Sequence, residues 1–357
     1  MLRRVPSTDA GDHRVLTQRE LNRALLARQG LLDGYHGQVP AVLDRIGGIQ
    51  AQYSPSMYVG LWSRTQTLAR ADVTNALERR TAIQGTLLRG TIHLVSKADY
   101  WPTVQAIRRG RQAWHLRAVR HDPPEAEWRE AADRLRTGLV DGPMPRKGVD
   151  ALVGPRFRSN IGMWIDLVRV PPSGTWEHRP ADLFDLAERW VGPASGTEAG
   201  GVVLLVHRYL AGFGPARPAD IASWAGLPVA MITTALTGLA TRTFRDEAGK
   251  VLVDVLDAPL PGADTAAPVR FLPTWDATLL VHARRTQILP EVHRPMIFST
   301  KRPHSIGTFL VDGAVAGTWR YDAGRVDLTE LTPLPRPARR AVEFEAERLA
   351  VFHGPDG

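Results

Sequence analysis

The sequence predicts an α+β fold, mostly helical, made of three tandem winged-helix units with a C-terminal β-rich extension. Three observations carry that expectation. Helix signals followed by a β-prone hairpin occupy residues 17–95, and the same order recurs over 201–256 with a weaker copy between. From residue 268 onward short β runs alternate until a last helix. The chain has 357 residues, 43% hydrophobic and 23% charged, ordinary proportions for a soluble chain with enough apolar material for several packed units.

In the first unit, residues 14–120, Thr17 and Glu20 stand at capping-box spacing ahead of Leu21, Leu25 and Leu26, which predicts a helix to residue 32. Pro40 opens a second helix, which Gly47 and Gly48 end because glycine adopts backbone conformations that other residues avoid. Ser54 and Pro55 read as cap and first-turn proline of a third helix through Trp62. A fourth covers 71–80, with Val73, Ala76 and Leu77 on one face. Two β-prone runs in 84–95, broken at Arg89-Gly90, complete the helices-then-hairpin order of a winged helix. The second unit, 121–197, holds helices at 127–139 and 146–153, a segment at 161–170 and a final helix at 180–190. In the third, 198–262, helices at 202–210, 217–225 and 229–239, a turn at 226–228 and a hairpin turn near 246–249 make a compact helix-turn-helix with a wing. The extension, 263–357, has β runs at 306–311, 315–319 and 326–331 and a helix over 338–352.

Several chemistries lose their sequence support. Without cysteine there is no disulfide, thiolate nucleophile or Cys-ligated zinc. Phosphate-loop, dinucleotide, Gly-x-Ser-x-Gly and His-Glu-x-x-His patterns are missing. The eleven histidines are scattered, so no metal site is expected. No run of about eighteen apolar residues occurs and residues 1–17 are polar, so the chain reads as cytoplasmic, with no membrane partner.

The formal charge is +8, and its distribution says more than its size. Residues 1–120 carry 18 basic and 8 acidic side chains, whereas 121–357 carry 27 and 29. Clustered positive charge suits a polyanion partner. Only four of the 45 basic residues are lysine, an arginine bias that GC-rich coding produces as readily as selection for phosphate contacts.

The same basic third holds Gly47-Gly48-Ile49-Gln50-Ala51-Gln52-Tyr53-Ser54-Pro55. Gln50 and Gln52 would diverge by about 200° on a helix but share one side of an extended segment. Two amides offer donors and acceptors without charge, enough to hold a water or a sugar oxygen. As residue types alone, they fit solvated or helix-capping glutamines more readily, since Gln-x-Gln is a common pattern.

Gly47 to Gln52, Leu88-Arg89-Gly90-Thr91-Ile92-His93-Leu94-Val95, Leu272-Pro273-Thr274-Trp275-Asp276-Ala277-Thr278-Leu279-Leu280 and residues 308–319 together resemble the winged-helix crosslink-repair DNA glycosylases, which include azinomycin-resistance-type enzymes. The similarity spans about residues 15–353. Gln50-Ala51-Gln52 fits the family's Gln, aliphatic, Gln branch. The resemblance implies a monofunctional glycosylase that hydrolyses the N-glycosidic bond of bulky or crosslinked N7-alkylguanine, unhooking crosslinks in DNA repair or genotoxin self-resistance. Its partner would be double-stranded DNA carrying alkylated guanine, with no cofactor and no metal, and the protein would act as a monomer. N7 alkylation makes guanine a cationic leaving group, so placing a water and stabilising an oxocarbenium-like sugar are the tasks left, and these fall to Gln50 and Gln52.

Asp276 is a further catalytic candidate, as general base or oxocarbenium stabiliser; the alternative is a buried carboxylate bonded to backbone amides. His93 reads more readily as a core histidine than as a catalytic one, and His282 is open in the same way. For DNA contacts the sequence offers Arg79, Arg80, Arg89, Arg108 and Arg109 with Arg111, and Lys301 and Arg302 in a loop. The hairpin at Asp312-Gly313 is placed to approach a lesion. The rival function is a non-catalytic DNA-binding regulator in which the two glutamines support the fold.

Overall fold

Thr17 caps the first helix as its spacing implies: its hydroxyl accepts from Glu20 N while the Glu20 carboxylate accepts from Thr17 N. The structure is a computed structural model that describes residues 14–280, 286–298 and 306–355. The first segment runs β1 (Val15–Leu16), α1 (Gln18–Arg28), α2 (Val39–Ile46), β2 (Ile49–Gln50), α3 (Ser54–Trp62), α4 (Arg70–Glu78), β3 (Ala82–Thr86), β4 (Ile92–Ser96) and α5 (Lys97–Ala118). Helix α1 stops four residues short of the expected end because Gly30 has φ 67°. A Cβ there would lie 2.7 Å from the Arg64 carbonyl. Ser54 is no cap: its hydroxyl donates to the Arg179 carbonyl at 2.7 Å and Tyr53 takes the cap position.

The second segment holds α6 (Glu125–Gly138), β5 (Met144–Pro145), α7 (Arg146–Val153), β6 (Leu167–Arg169), β7 (Leu183–Leu186) and α8 (Ala187–Trp190). Here the helix expected over 180–190 is corrected. Leu183–Leu186 is a strand between β6 and β5, and only Ala187–Trp190 is helical. Leu183, Phe184 and Leu186 would suit a helix face as well as a strand buried on both faces, and pairing with distant strands decides it.

The third segment follows its expected order: α9 (Glu198–Phe213), α10 (Pro218–Ala225), α11 (Val229–Leu236), β8 (Thr241–Asp246) and β9 (Val251–Val255). Gly226, with φ 70°, ends α10, and the axis turns by 119° into α11, within the range of helix-turn-helix motifs. The extension contains β10 (Arg270–Leu272), α12 (Ala277–Leu280), α13 (Arg294–Ile297), β11 (Gly307–Val311), β12 (Ala314–Asp322), β13 (Arg325–Glu330) and α14 (Arg336–His353).

The sheets join segments that are separate in the sequence. Strands β2-β4-β3-β6-β7-β5 form one six-stranded sheet, so the hairpins of the first two segments share a ladder. Strand β1 pairs in parallel with β8 beside β9, and β10-β11-β12-β13 close the extension. Helix α5 packs along α9, where a Cβ on Gly201 would sit 2.1 Å from the Pro102 carbonyl. Buried ion pairs fasten distant parts: Arg28 is bidentate to Asp254 at 2.6 and 2.9 Å, and Arg64 is bidentate to Asp276 at 2.8 and 3.0 Å. Among the described residues no single helix is long and apolar enough to cross a membrane.

Candidate active site

Gly47 and Gly48, at φ 77° and 76°, turn the chain out of α2 and back alongside β4. A side chain on Gly48 would meet Val95 Cγ1 at 2.9 Å and the Leu94 carbonyl at 3.1 Å, so this position requires glycine for space as well as for conformation. The two residues of β2 then pair antiparallel with β4, Ile49 opposite Leu94 and Gln50 opposite His93. Ala51 N donates to the Ile92 carbonyl at 2.8 Å, and Gln84 Nε2 donates to the Ala51 carbonyl at 3.4 Å. Behind the strand, Ile49 fills the space that the absent side chain of Gly60 on α3 leaves open. The segment between the glycines and α3 is thus extended, and fixed from three sides.

The two amides are held differently. Gln50 is 7% exposed and its side chain has no hydrogen-bond partner among the described residues, which leaves donors and acceptor available to a bound molecule. Gln52 lies beyond the ladder, at a bend, and is exposed; its Oε1 accepts from Ile92 N at 3.1 Å. Gln52 also lines a polar cleft of about 340 Å³, with Thr86, Arg146, Arg158, Asn160 and Arg169. Tyr53, Arg179, Trp319, Tyr321 and His353 line a second cleft of about 240 Å³.

His93 takes the core position. It is 5% exposed, its Nδ1 lies 3.1 Å from the Thr91 carbonyl, and burial, aided by the Arg89 charge, lowers its pKa to about 4. The imidazole is therefore neutral at pH 7. Asp276 is 2% exposed and both its oxygens are engaged, by Arg64 and by the Thr278 amide and hydroxyl. The carboxylate thereby ties the turn after α3 to the extension.

The basic candidates that the structure describes are held by different partners. Arg79 is exposed, and Arg80 stacks over Trp190 with its guanidinium 3.9 Å from the ring centre. Arg89, at the first hairpin tip with φ 53°, donates to the Trp224 carbonyl and docks that hairpin on α10. Arg108 and Arg111 share Asp166 at 2.7 and 3.0 Å. Arg109 is exposed beside Glu198 at 3.3 Å. Lys301, Arg302 and His282 lie outside the described residues. The Asp312-Gly313 turn joins β11 to β12 and is anchored by Arg19 and Arg23.

The arginines that line a cleft with Gln52 are not among the candidates that the sequence offers. Arg146, Arg158 and Arg169 come from separate elements in a stretch where acidic residues outnumber basic ones, 13 to 10 over 121–200. Their one local signal is a charge inside the apolar run Leu167-Val168-Arg169-Val170. Among the described residues no three His, Asp or Glu side chains cluster as a metal-ligand set.

A family model described as DNA glycosylase AlkZ-like matches residues 43–352. Among solved structures, the DNA glycosylase AlkZ of Streptomyces sahachiroi is similar in fold, with a TM-score of 0.80 and 19% sequence identity over 96% of this chain and 98% of that one. No curated protein matches.

Proposed function

Because the chain belongs to the AlkZ-like DNA glycosylase family, we propose that its substrate is bulky or crosslinked N7-alkylguanine in duplex DNA, and that it unhooks interstrand crosslinks in repair or in self-resistance to a genotoxin. In this reading three winged-helix units and the extension surround the DNA, and the protein works as a monomer. Gln50 and Gln52 position the attacking water and contact the deoxyribose. Water adds its oxygen to C1′ as the C1′–N9 bond breaks; that electron pair neutralises the alkylated purine, and the proton leaves with solvent. The leaving group is already cationic, so the site has little need of a general acid or a Lewis acid. Positioning and electrostatics suffice.

The observation that carries the reading is the unpartnered Gln50 amide, two residues before Gln52, which lines an arginine-bearing cleft. Asp276 has a supporting place only, since its oxygens are already engaged. An open site suits lesions too large to be extruded into a closed pocket. The test is incubation with duplexes carrying N7-methylguanine or an N7-linked crosslink, followed by assay for free base and alkali-labile abasic sites. Release of base supports the reading. Tight binding of both duplexes with no release would favour the non-catalytic regulator instead.

A further inference from the structure

The cleft that Gln52 helps to line has three arginines and, among the described residues, no carboxylate in its wall. Arg169 is the least exposed of them and has no carboxylate partner among the described residues. It stands mid-sheet, opposite Gln84 on β3 and Phe184 on β7. Its Nη1 donates to the neutral Thr86 hydroxyl at 3.2 Å, its guanidinium lies 5.3 Å from the centre of the Phe184 ring, and its Nε is buried with no partner among the described residues. Burial, with the Arg146 charge adding to it, lowers its pKa to about 10. Arg146 is partly satisfied, by Asp150 at 2.7 Å and the Arg158 carbonyl at 2.8 Å. The Arg158 side chain is exposed and has no partner among the described residues.

Like charges gathered in one cleft oppose one another, and a bound anion with several acceptor oxygens removes that cost while taking charge-assisted hydrogen bonds. We propose that this cleft seats one backbone phosphate of the DNA strand, next to the nucleotide under attack, held by Arg169 and Arg158 with Arg146 beside them. The assignment rests on the glycosylase reading, because Gln52, which lines the same cleft, is what sets the phosphate next to the reacting sugar. The contact would fix register along the strand without reading sequence.

Methylphosphonate linkages, each removing one phosphate charge, test it when moved singly along duplexes that carry N7-methylguanine. The full-length protein should lose about tenfold in affinity at one linkage near the lesion and little elsewhere. The R158A/R169Q variant should bind the all-phosphate duplex about tenfold more weakly, with a shallower salt dependence, and should be indifferent to that linkage. Arg158→Ala alone changes an exposed, unpartnered residue and guards against misfolding at Arg169; it should show the same indifference in part. Arg134→Ala, on the exposed face of α6, should keep the wild-type linkage profile. If both cleft variants keep it too, or if the wild type excises base yet is insensitive to every linkage, the phosphate seat is wrong and the glycosylase reading stands. Failure of the wild type to bind or cleave any of these duplexes overturns both.

Discussion

At the scale of the residue, Gln50 and Gln52 carry different obligations. Gln52 already gives its oxygen to Ile92 N, so its NH2 group is the part free to act, whereas Gln50 has its whole amide. Single-turnover excision of N7-methylguanine by Gln50→Ala or Gln52→Ala should fall by about tenfold or more, about 1.4 kcal/mol at the barrier. Unchanged rates in the double variant would remove both from the chemistry. His93 gives a prediction of another kind. Its pKa is about 4 in the folded protein, against about 6.5 unfolded. Between those values the unfolded chain binds more protons, so stability is full above about pH 6.5 and declines as pH falls towards 4. Urea unfolding at pH 7 and pH 5 should differ by about 2 kcal/mol from this residue, and His93→Asn should flatten that part of the profile. The motif glutamines and the core histidine are legible in sequence because each sits among residues that declare its surroundings. Arg169 is not, since its cleft is assembled from segments far apart in the chain that meet only in the fold.

At the scale of the element, the motif depends on its entry turn. Gly48→Ala would force a side chain into φ 76° and against the Leu94 carbonyl; the backbone term alone costs about 1–2 kcal/mol. Both a lower urea midpoint and a larger relative loss of excision should result, because Gln50 lies two residues on. The Arg64–Asp276 pair is an element-level fastening. Asp276→Ala should destabilise by about 3–5 kcal/mol by leaving a buried guanidinium uncompensated, and the R64M/D276L double variant should recover much of that loss. If Asp276 were instead a general base, the single variant would lose excision while keeping its stability. Local signals serve well where an element is locally determined: the Thr17 capping box, the Gly47-Gly48 stop and the Gly226 turn all stand where spacing places them. They fail at 183–186, where the strand exists because β6 and β5 lie on either side of it, a fact that no window around Phe184 contains.

At the scale of the molecule, strand pairing disregards the order of the units along the chain. Strand β1 belongs to the β8–β9 sheet, and the six-stranded sheet spans the first two segments. Arg28 on α1 reaches Asp254 on β9. Units joined this way should unfold together. Calorimetry should give one transition with matching calorimetric and van't Hoff enthalpies, and separate transitions would mean that the shared ladders contribute little to cooperativity. The edges of the large sheet have one more consequence. Its outer strands are β2 and β5, two residues each, and one residue of β5 is Pro145, which has no N–H to offer. Edges this short give an incoming chain almost no template for strand addition, so the brevity that leaves Gln50 at the border of the sheet also guards the protein against self-association through that border.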